Sequence, residues 1–333
     1  MEKLLTVIVP TYNVEKYIEK NLSSFEVMEV LEQLEILVVN DGSTDGSVAI
    51  AEQFVRMHPE SFRIIHKENG GHGSTINCGI KEAKGKYIKV VDADDWVTSD
   101  GLIHLMECLG RTDSDVVVSN FYWYDHQTGR LSVEIDKPFS DVIYGKEYIF
   151  SDVCGDMYIK MHAMTIKADI LRRIPEIDEH CFYVDAEYVL FPIPYVNTVT
   201  CIEDFVYMYR IGLPGQSMDI TRMQRNEENF DRVLSRVLSY YEDCRKGNTE
   251  EAKILYMEKF IARLVASRYK IFLSYPYSGE IKEKMASFDH NIKAKYPEIY
   301  TQIQNRFVKI LQMSKFSLYR LAQFVYKKKE GIK

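Results

Sequence analysis

Tyr87-Ile88-Lys89-Val90-Val91-Asp92-Ala93-Asp94-Asp95-Trp96 runs from a short stretch of β-formers straight into three carboxylates and a tryptophan. The first half is short and apolar enough to be a buried parallel strand. In an open α/β sheet, ligands collect outside the carboxyl ends of the strands, where these acids fall. Carboxylates so close repel one another unless a cation joins them. A hard divalent ion takes one or two of them and completes its shell with phosphate and water. A solvated acidic turn capping the next helix, with Ser99 or Asp100 as N-cap, has the same residues. The stretches around the triplet decide between the two.

Upstream, Leu4 to Val9 reads as an apolar strand ending at Pro10-Thr11-Tyr12-Asn13, since proline cannot donate to a ladder. A helix from Glu15 to Phe25 follows, then a second strand from Leu34 to Val39. Asn40 to Gly46 is turn chemistry before a helix from about Ser47 to Met57. Phe62 to His66 is a third strand, and Glu68-Asn69-Gly70-Gly71-His72-Gly73-Ser74 leads into a helix to Lys84 with Gly85 as its C-cap. After the acidic stretch come a helix over 100–109 and a strand over 115–120. This alternation predicts βαβ units and a mostly parallel, Rossmann-like α/β sheet. Three strand ends then carry loops suited to a nucleotide. Tyr12 offers a ring for a base, Asp41 a carboxylate for a base N–H or ribose hydroxyl, and Gly70, Gly71 and Gly73 leave room for phosphate at a helix N-terminus.

The 333 residues suffice for one large domain and an appendage. A net charge of −7 argues against nucleic acid as the partner. The six cysteines are scattered with no metal or CxxC spacing, as in a reducing compartment. The first strand begins within a few residues and no apolar run approaches membrane-spanning length, so no signal peptide and a cytoplasmic protein are expected. Neither GxGxxG nor a GKS/T phosphate loop is present.

Val7-Ile8-Val9-Pro10-Thr11-Tyr12-Asn13, Val38-Val39-Asn40-Asp41-Gly42-Ser43-Thr44-Asp45, Glu68-Asn69-Gly70-Gly71, Asn77 and Asp92-Ala93-Asp94-Asp95 together resemble family 2 glycosyltransferases of the GT-A fold. Order and spacing match through about residue 125. The resemblance implies an inverting transferase that uses a nucleotide-activated sugar, most often UDP-linked, with Mn²⁺ or Mg²⁺. On that pattern Pro10, Tyr12 and Asp41 hold the nucleoside, and Gly70 and Asn77 belong to the donor site. Asp92 lies near ribose and donor sugar, and Asp94 binds the metal bridging the diphosphate. Asp95 and Trp96 are acceptor or loop candidates. Ile76 stands where many relatives carry an arginine.

Family members place a Glu-Asp pair later in the chain, and its aspartate is the catalytic base. Here Asp185 aligns with that aspartate, while Val184 occupies the glutamate position. Glu187 is the rival carboxylate, but two positions along a helix it faces elsewhere. Thr200 to Arg210 reads as a strand. Tyr209, Arg210, Gln216 and Ser217 match a family turn that commonly closes over donor and metal. Between these regions Phe121-Tyr122-Trp123-Tyr124 suits half-buried sheet packing or sugar stacking, and Gly129 and Pro138 break the chain into short extended pieces.

Residues 1–220 thus form the transferase domain, and 221–333 a helical C-terminal region. Phe230, Val233, Leu234, Val237, Leu238 and Tyr241 make one core stripe. A second runs from Ile254 to Ile271. The last segment, 297–326, reads as an amphipathic helix with a stripe of Ile303, Phe307, Ile310, Leu311, Leu318, Leu321 and Val325. Its basic residues and Lys327 to Lys329 suit an anionic membrane surface, or packing on its own domain.

The expected reaction transfers a sugar to a hydroxyl of a glycan or lipid-linked acceptor, in surface polysaccharide or glycolipid assembly. The synthase motif QxxRW is missing, so single or few additions are expected. A sugar nucleotidyltransferase is the alternative enzyme, although its glycine-rich basic first loop is absent. A catalytically inactive nucleotide-sugar-binding subunit is the non-enzymatic alternative, and Asp94 with Asp185 speaks against it.

Overall fold

Leu5–Thr11 (β1) is buried along its whole length. So is Leu34–Asn40 (β2), as apolar strands covered on both faces of a parallel sheet must be. The computed structural model describes residues 2–133, 139, 142–213, 216 and 220–330, without the side chains of Asp156, Lys329 and Glu330. Pro138 and Ser217 therefore lie outside the described residues. The chain divides into two units, Met1–Pro214 and Gly215–Lys333.

In the first unit the remaining strands are Phe62–His66 (β3), Tyr87–Val90 (β4), Trp96–Val97 (β5), Val116–Asp125 (β6), Leu131–Ser132 (β7), Glu147–Ile149 (β8), Met164–Lys167 (β9) and Thr198–Ile211 (β10). They form one sheet in the order β3-β2-β1-β4-β9-β6-β10-β5, with β7 beside β6 and β8 beside β10. Pairing is parallel from β3 through β4 and between β6 and β10. β9 enters antiparallel between β4 and β6. Nothing local in the sequence marks a strand arriving there from residue 164. The sheet is mixed α/β and mostly parallel.

Ile18–Ser23 (α1), Ser47–Met57 (α2), His72–Glu82 (α3) and Ser99–Arg111 (α4) are the main connecting helices. Asp185–Leu190 (α5) carries the proposed base. α1 starts later than the sequence suggested. Glu15 is tied to the β2–α2 loop, its N–H donating to Asp45 Oδ2 (3.0 Å) and its carboxylate accepting from Gly46 (3.1 Å). The N-cap of α4 is Thr98, whose hydroxyl accepts from the Gly101 amide at 3.2 Å, and neither Ser99 nor Asp100. α3 ends on Ala83 instead of Gly85. Gly85 serves β1: a Cβ there would lie 2.4 Å from Thr6 N, so only glycine permits the approach.

The second unit is helical: Ile220–Arg225 (α6), Glu227–Lys246 (α7), Glu251–Ser274 (α8), Gly279–Lys295 (α9), Pro297–Thr301 (α10), Arg306–Met313 (α11) and Tyr319–Glu330 (α12). The α7 stripe from Phe230 to Tyr241 is buried, and Gly247 caps the helix. α8 is buried nearly all round, so Ile254 and Leu264 are only half-buried members of a broader core. The single helix expected over 297–326 is three. Asn305 caps α11 through bonds to the amides of Phe307 and Val308, and Lys315 and Phe316 adopt left-handed backbone (φ 47 and 61) before α12. Among the described residues no helix is long and apolar enough to cross a membrane.

Candidate active site

The acidic stretch leaves β4 at Val90 and turns at once, Asp95 N–H donating to Asp92 O at 2.9 Å. Asn21 of α1 clamps this turn. Its fully buried side-chain amide donates to Asp92 O (3.0 Å) and Asp95 O (2.9 Å). The three carboxylates thereby separate into different environments.

Asp95 points into the protein. Its Oδ2 accepts from Tyr207 Oη at 2.6 Å and its Oδ1 from the Arg210 amide at 2.7 Å, which fastens the turn to β10. Burial raises its carboxyl well above the usual range, Asp94 and Asp92 adding to this and Tyr207 and Arg210 opposing it. Trp96 lies opposite Met208 in the β5–β10 pair. Lys20 Nζ sits 3.5 Å from its ring centroid and the Arg210 guanidinium 4.8 Å away. Arg210 is buried, with Nε donating to Asp94 O at 2.6 Å. It thus braces the turn from within β10. Gln216 falls in the second unit, and Ser217 outside the described residues.

Asp94 is held by its carbonyl, and among the described residues no other residue donates to its carboxylate. Desolvation raises that carboxyl to about 6, with Asp92 adding and Arg210 and His72 opposing. Asp92 accepts from His72 Nε2 at 2.9 Å. Burial opposes the imidazolium of His72, but Asp92, Asp185 and Asp94 outweigh it and raise its pKa. His72 therefore stands amid the acidic turn and Asp185. Its position at the start of α3 was visible in the sequence, but its partner was not.

Asp41 is almost fully buried, and its carboxylate is engaged. It accepts from Gly70 N (2.9 Å), Gly71 N (2.8 Å) and Lys67 Nζ (2.8 Å). The two glycine amides offered by the sequence to phosphate are spent on this carboxylate. The start of α3 is covered as well. His180 N donates to Gly70 O at 2.6 Å, and a Cβ on Gly73 would lie 2.1 Å from Asp178 O. Lys67 and the 177–181 segment are the partners that no sequence signal announced. Asn77 joins the same segment: its Nδ2 donates to Ile177 O (2.8 Å) and its Oδ1 accepts from Ile177 N (2.9 Å). Ile76 beside it is fully buried, so that position faces the core.

The segment tethered in this way leads to α5. His180 and Tyr183 both adopt left-handed backbone (φ 52 and 67) just before it. Such strain in non-glycine residues concentrates at functional sites. Val184 is the N-cap and Asp185 the first helical residue. Asp185 is solvent-accessible, yet enough protein surrounds it that desolvation raises its carboxyl, with His72 opposing and Asp92 adding. Glu187 is fully buried, and its Oε2 accepts from Asp178 N at 2.9 Å. Pro10 is buried in β1 at the register position of Val39, and Tyr12 just beyond is half exposed.

Among the described residues, no three His, Cys, Asp or Glu side chains are grouped to hold a metal unaided. One open carboxylate, Asp94, beside a second, Asp92, still fits a hard divalent ion whose other ligands come from a diphosphate.

A mostly parallel sheet gathering these acids at its carboxyl edge, followed by a helix-borne aspartate, is the plan of a GT-A glycosyltransferase. The family model described as "Glycosyl transferase family 2" matches residues 6–173, half of the chain, and the chain belongs to that family. It is 30% identical to the glycosyltransferase GlyG of Streptococcus pneumoniae over 227 residues, 63% of this chain and 71% of that protein. It is 24% identical over 312 residues to the teichoic acid poly(glycerol phosphate) polymerase of Staphylococcus epidermidis, 90% of this chain but 41% of that protein. Its fold is similar to that of S. aureus TarS residues 1–349 in complex with UDP-GlcNAc. The TM-score is 0.69 at 19% identity, covering 98% of this chain and 92% of that one. The protein is a glycosyltransferase.

Proposed function

We propose that the chain transfers a sugar from a nucleoside-diphosphate donor, UDP-linked, to a hydroxyl acceptor with inversion. The supporting observation is the placement of His72, 2.9 Å from Asp92 and close enough to Asp185 and Asp94 that all three carboxylates raise its pKa. One accessible aspartate and the open Asp94 carboxylate thus share one locality.

Asp185 takes the proton of the acceptor hydroxyl as that oxygen attacks the anomeric carbon. The new C–O bond forms on one face while the bond to the diphosphate breaks on the other, its electron pair leaving with the β-phosphate oxygen. The raised Asp185 carboxyl suits proton uptake better than an ordinary aspartate would. Glu187, buried and bonded to the Asp178 amide, is placed to shape the 178–185 segment. Asp94, with Asp92 beside it, would hold Mn²⁺ or Mg²⁺. When bound, that ion neutralises charge developing on the leaving diphosphate. Tyr12 is exposed at the mouth of β1 for a base, and Asp41 braces the nucleotide-side loops from beneath. UDP as the nucleotide is supported by the fold neighbour crystallised with UDP-GlcNAc.

The acceptor belongs to cell-surface polysaccharide or glycolipid assembly, a reading supported by the teichoic acid relative. A lipid-linked acceptor would place the enzyme on the inner face of the cell membrane as a peripheral protein. The experiment is a thermal-shift and transfer screen of UDP- and GDP-sugars with and without Mn²⁺. Metal-dependent stabilisation by a UDP-sugar, followed by release of UDP with acceptor, is the expected result. Stabilisation by nucleoside triphosphate in place of any nucleotide sugar would overturn it.

A further inference from the structure

The sequence between residues 299 and 329 contains seven lysines and arginines and no acidic residue, in a chain whose net charge is −7. An amphipathic reading of this stretch assigned Leu318, Leu321 and Val325 to one apolar stripe. In the second unit that stripe faces water: Leu318 is 42% exposed, Leu321 58% and Val325 39%, and Phe324, outside the expected stripe, is 67% exposed. The packed side of α12 is instead Tyr319, Ala322, Gln323 and Tyr326, all at or below 9%. Tyr319 and Gln323 are tied to α8 and its C-cap, through Phe272 O and Tyr275 O. The helix thus has two apolar sides, and among the described residues one is packed while the other is exposed.

Spacing of 3, 3, 1 and 3 from Leu318 through Leu321, Phe324 and Val325 to exposed Lys328 puts these residues on one face. On α11, Ile310 and Met313 are exposed beside Arg306 and Lys309. Arg320 lies over the exposed ring of Tyr277, an aromatic of the type that settles at the headgroup level. Large aliphatic side chains on the surface are costly without a partner, and the cations beside them favour an anionic one.

We propose that α11 and α12 form an interfacial docking surface for an anionic lipid bilayer, with Leu318, Leu321, Phe324 and Val325 entering the acyl boundary and Arg306, Lys309, Lys327 and Lys328 meeting the headgroups. The helices lie in the membrane plane and do not cross it. This surface deepens the proposed peripheral placement and rests on that reading only for its cellular setting.

The test is co-sedimentation with phosphatidylcholine vesicles, with and without phosphatidylglycerol, in the absence of donor and acceptor. The intact protein is expected to bind only the phosphatidylglycerol vesicles and to release in high salt. Leu321→Ser with Phe324→Ser should weaken binding at least ~10-fold, since both side chains lose apolar burial in the membrane. Lys327→Gln with Lys328→Gln should weaken it about five-fold per lysine. Leu321, Phe324 and Lys328 are exposed and Lys327 is half-buried, so an unchanged circular dichroism spectrum and melting temperature are expected of both variants. Equal vesicle binding by the serine variant, or no binding by the intact protein, would overturn the proposal. So would self-association of the intact protein that the serine variant abolishes, because the face would then join two copies. None of these outcomes depends on which sugar is transferred.

Discussion

Asn77 and Ile177 exchange two hydrogen bonds, Nδ2 to O at 2.8 Å and N to Oδ1 at 2.9 Å, so a side chain of α3 pairs with main chain exactly 100 positions later as a strand would. That pair fixes the segment which delivers Asp185. Asn77→Leu should cost ~1–3 kcal/mol, because two main-chain groups lose their partner. Turnover should fall more than donor affinity. A lowered melting temperature with unaltered turnover would show that the segment finds its place without this tether.

Gly73 tests the same segment from the other side. A methyl there would sit 2.1 Å from the Asp178 carbonyl oxygen. Gly73→Ala should push residues 177–181 off α3 and lower turnover, while the β1–β4 sheet keeps its circular dichroism signal. Wild-type kinetics would mean that the approach tolerates a Cβ by a shift the site does not feel.

Asp94→Asn should abolish transfer and leave the melting temperature near that of the wild type, since among the described residues no other one donates to this carboxylate. EDTA should reproduce the loss in the unmodified protein. Transfer by Asp94→Asn in EDTA-treated buffer would remove Asp94 from the metal.

Asp185→Asn should lower turnover by roughly two to four orders of magnitude with nucleotide-sugar binding intact, the usual effect of losing a general base. Glu187→Gln should act chiefly on stability, because Glu187 is buried and accepts the Asp178 amide. An active Asp185→Asn beside a folded but inert Glu187→Gln would reverse the two roles.

Lys89 supplies a prediction about pH. It is buried in β4, donates to His162 O at 2.8 Å, and burial lowers its pKa to about 7. The unfolded chain keeps that proton up to about pH 10.4. Between these values unfolding takes up a proton, so this group makes stability rise with pH, by up to ~1.4 kcal/mol per unit. Lys89→Met should remove that rise. Urea denaturation at pH 7, 8 and 9 reads it as a stability difference between the two proteins that changes across the series. A constant difference would show that Lys89 titrates as an ordinary lysine.

Several elements were legible because local signals agreed with their final surroundings. Phe62–His66 and Ser47–Met57 have the bounds their β-propensity and turn residues suggested. α12 was not, although its amphipathic pattern was strong. Its sequence carries two apolar stripes, and helical periodicity alone gives no reason to bury Tyr319 and Tyr326 in preference to Leu321 and Phe324. The bonds of Tyr319 and Gln323 to α8 and its C-cap settle that choice.

By itself the sequence determined the alternation that makes a parallel sheet, and it placed Asp41, Gly70, Asp92 and Asp94 at successive strand ends, because period, glycine and proline act within a few residues of where they stand. Only the tertiary structure decided which of those polar groups are spent and which are open. Asp41 is engaged by Gly70, Gly71 and Lys67, and Asp95 by Tyr207 and Arg210, while among the described residues no other one donates to the Asp94 carboxylate. A buried carboxylate must find donors wherever the fold supplies them, and those of Asp95 lie more than a hundred residues away in the chain.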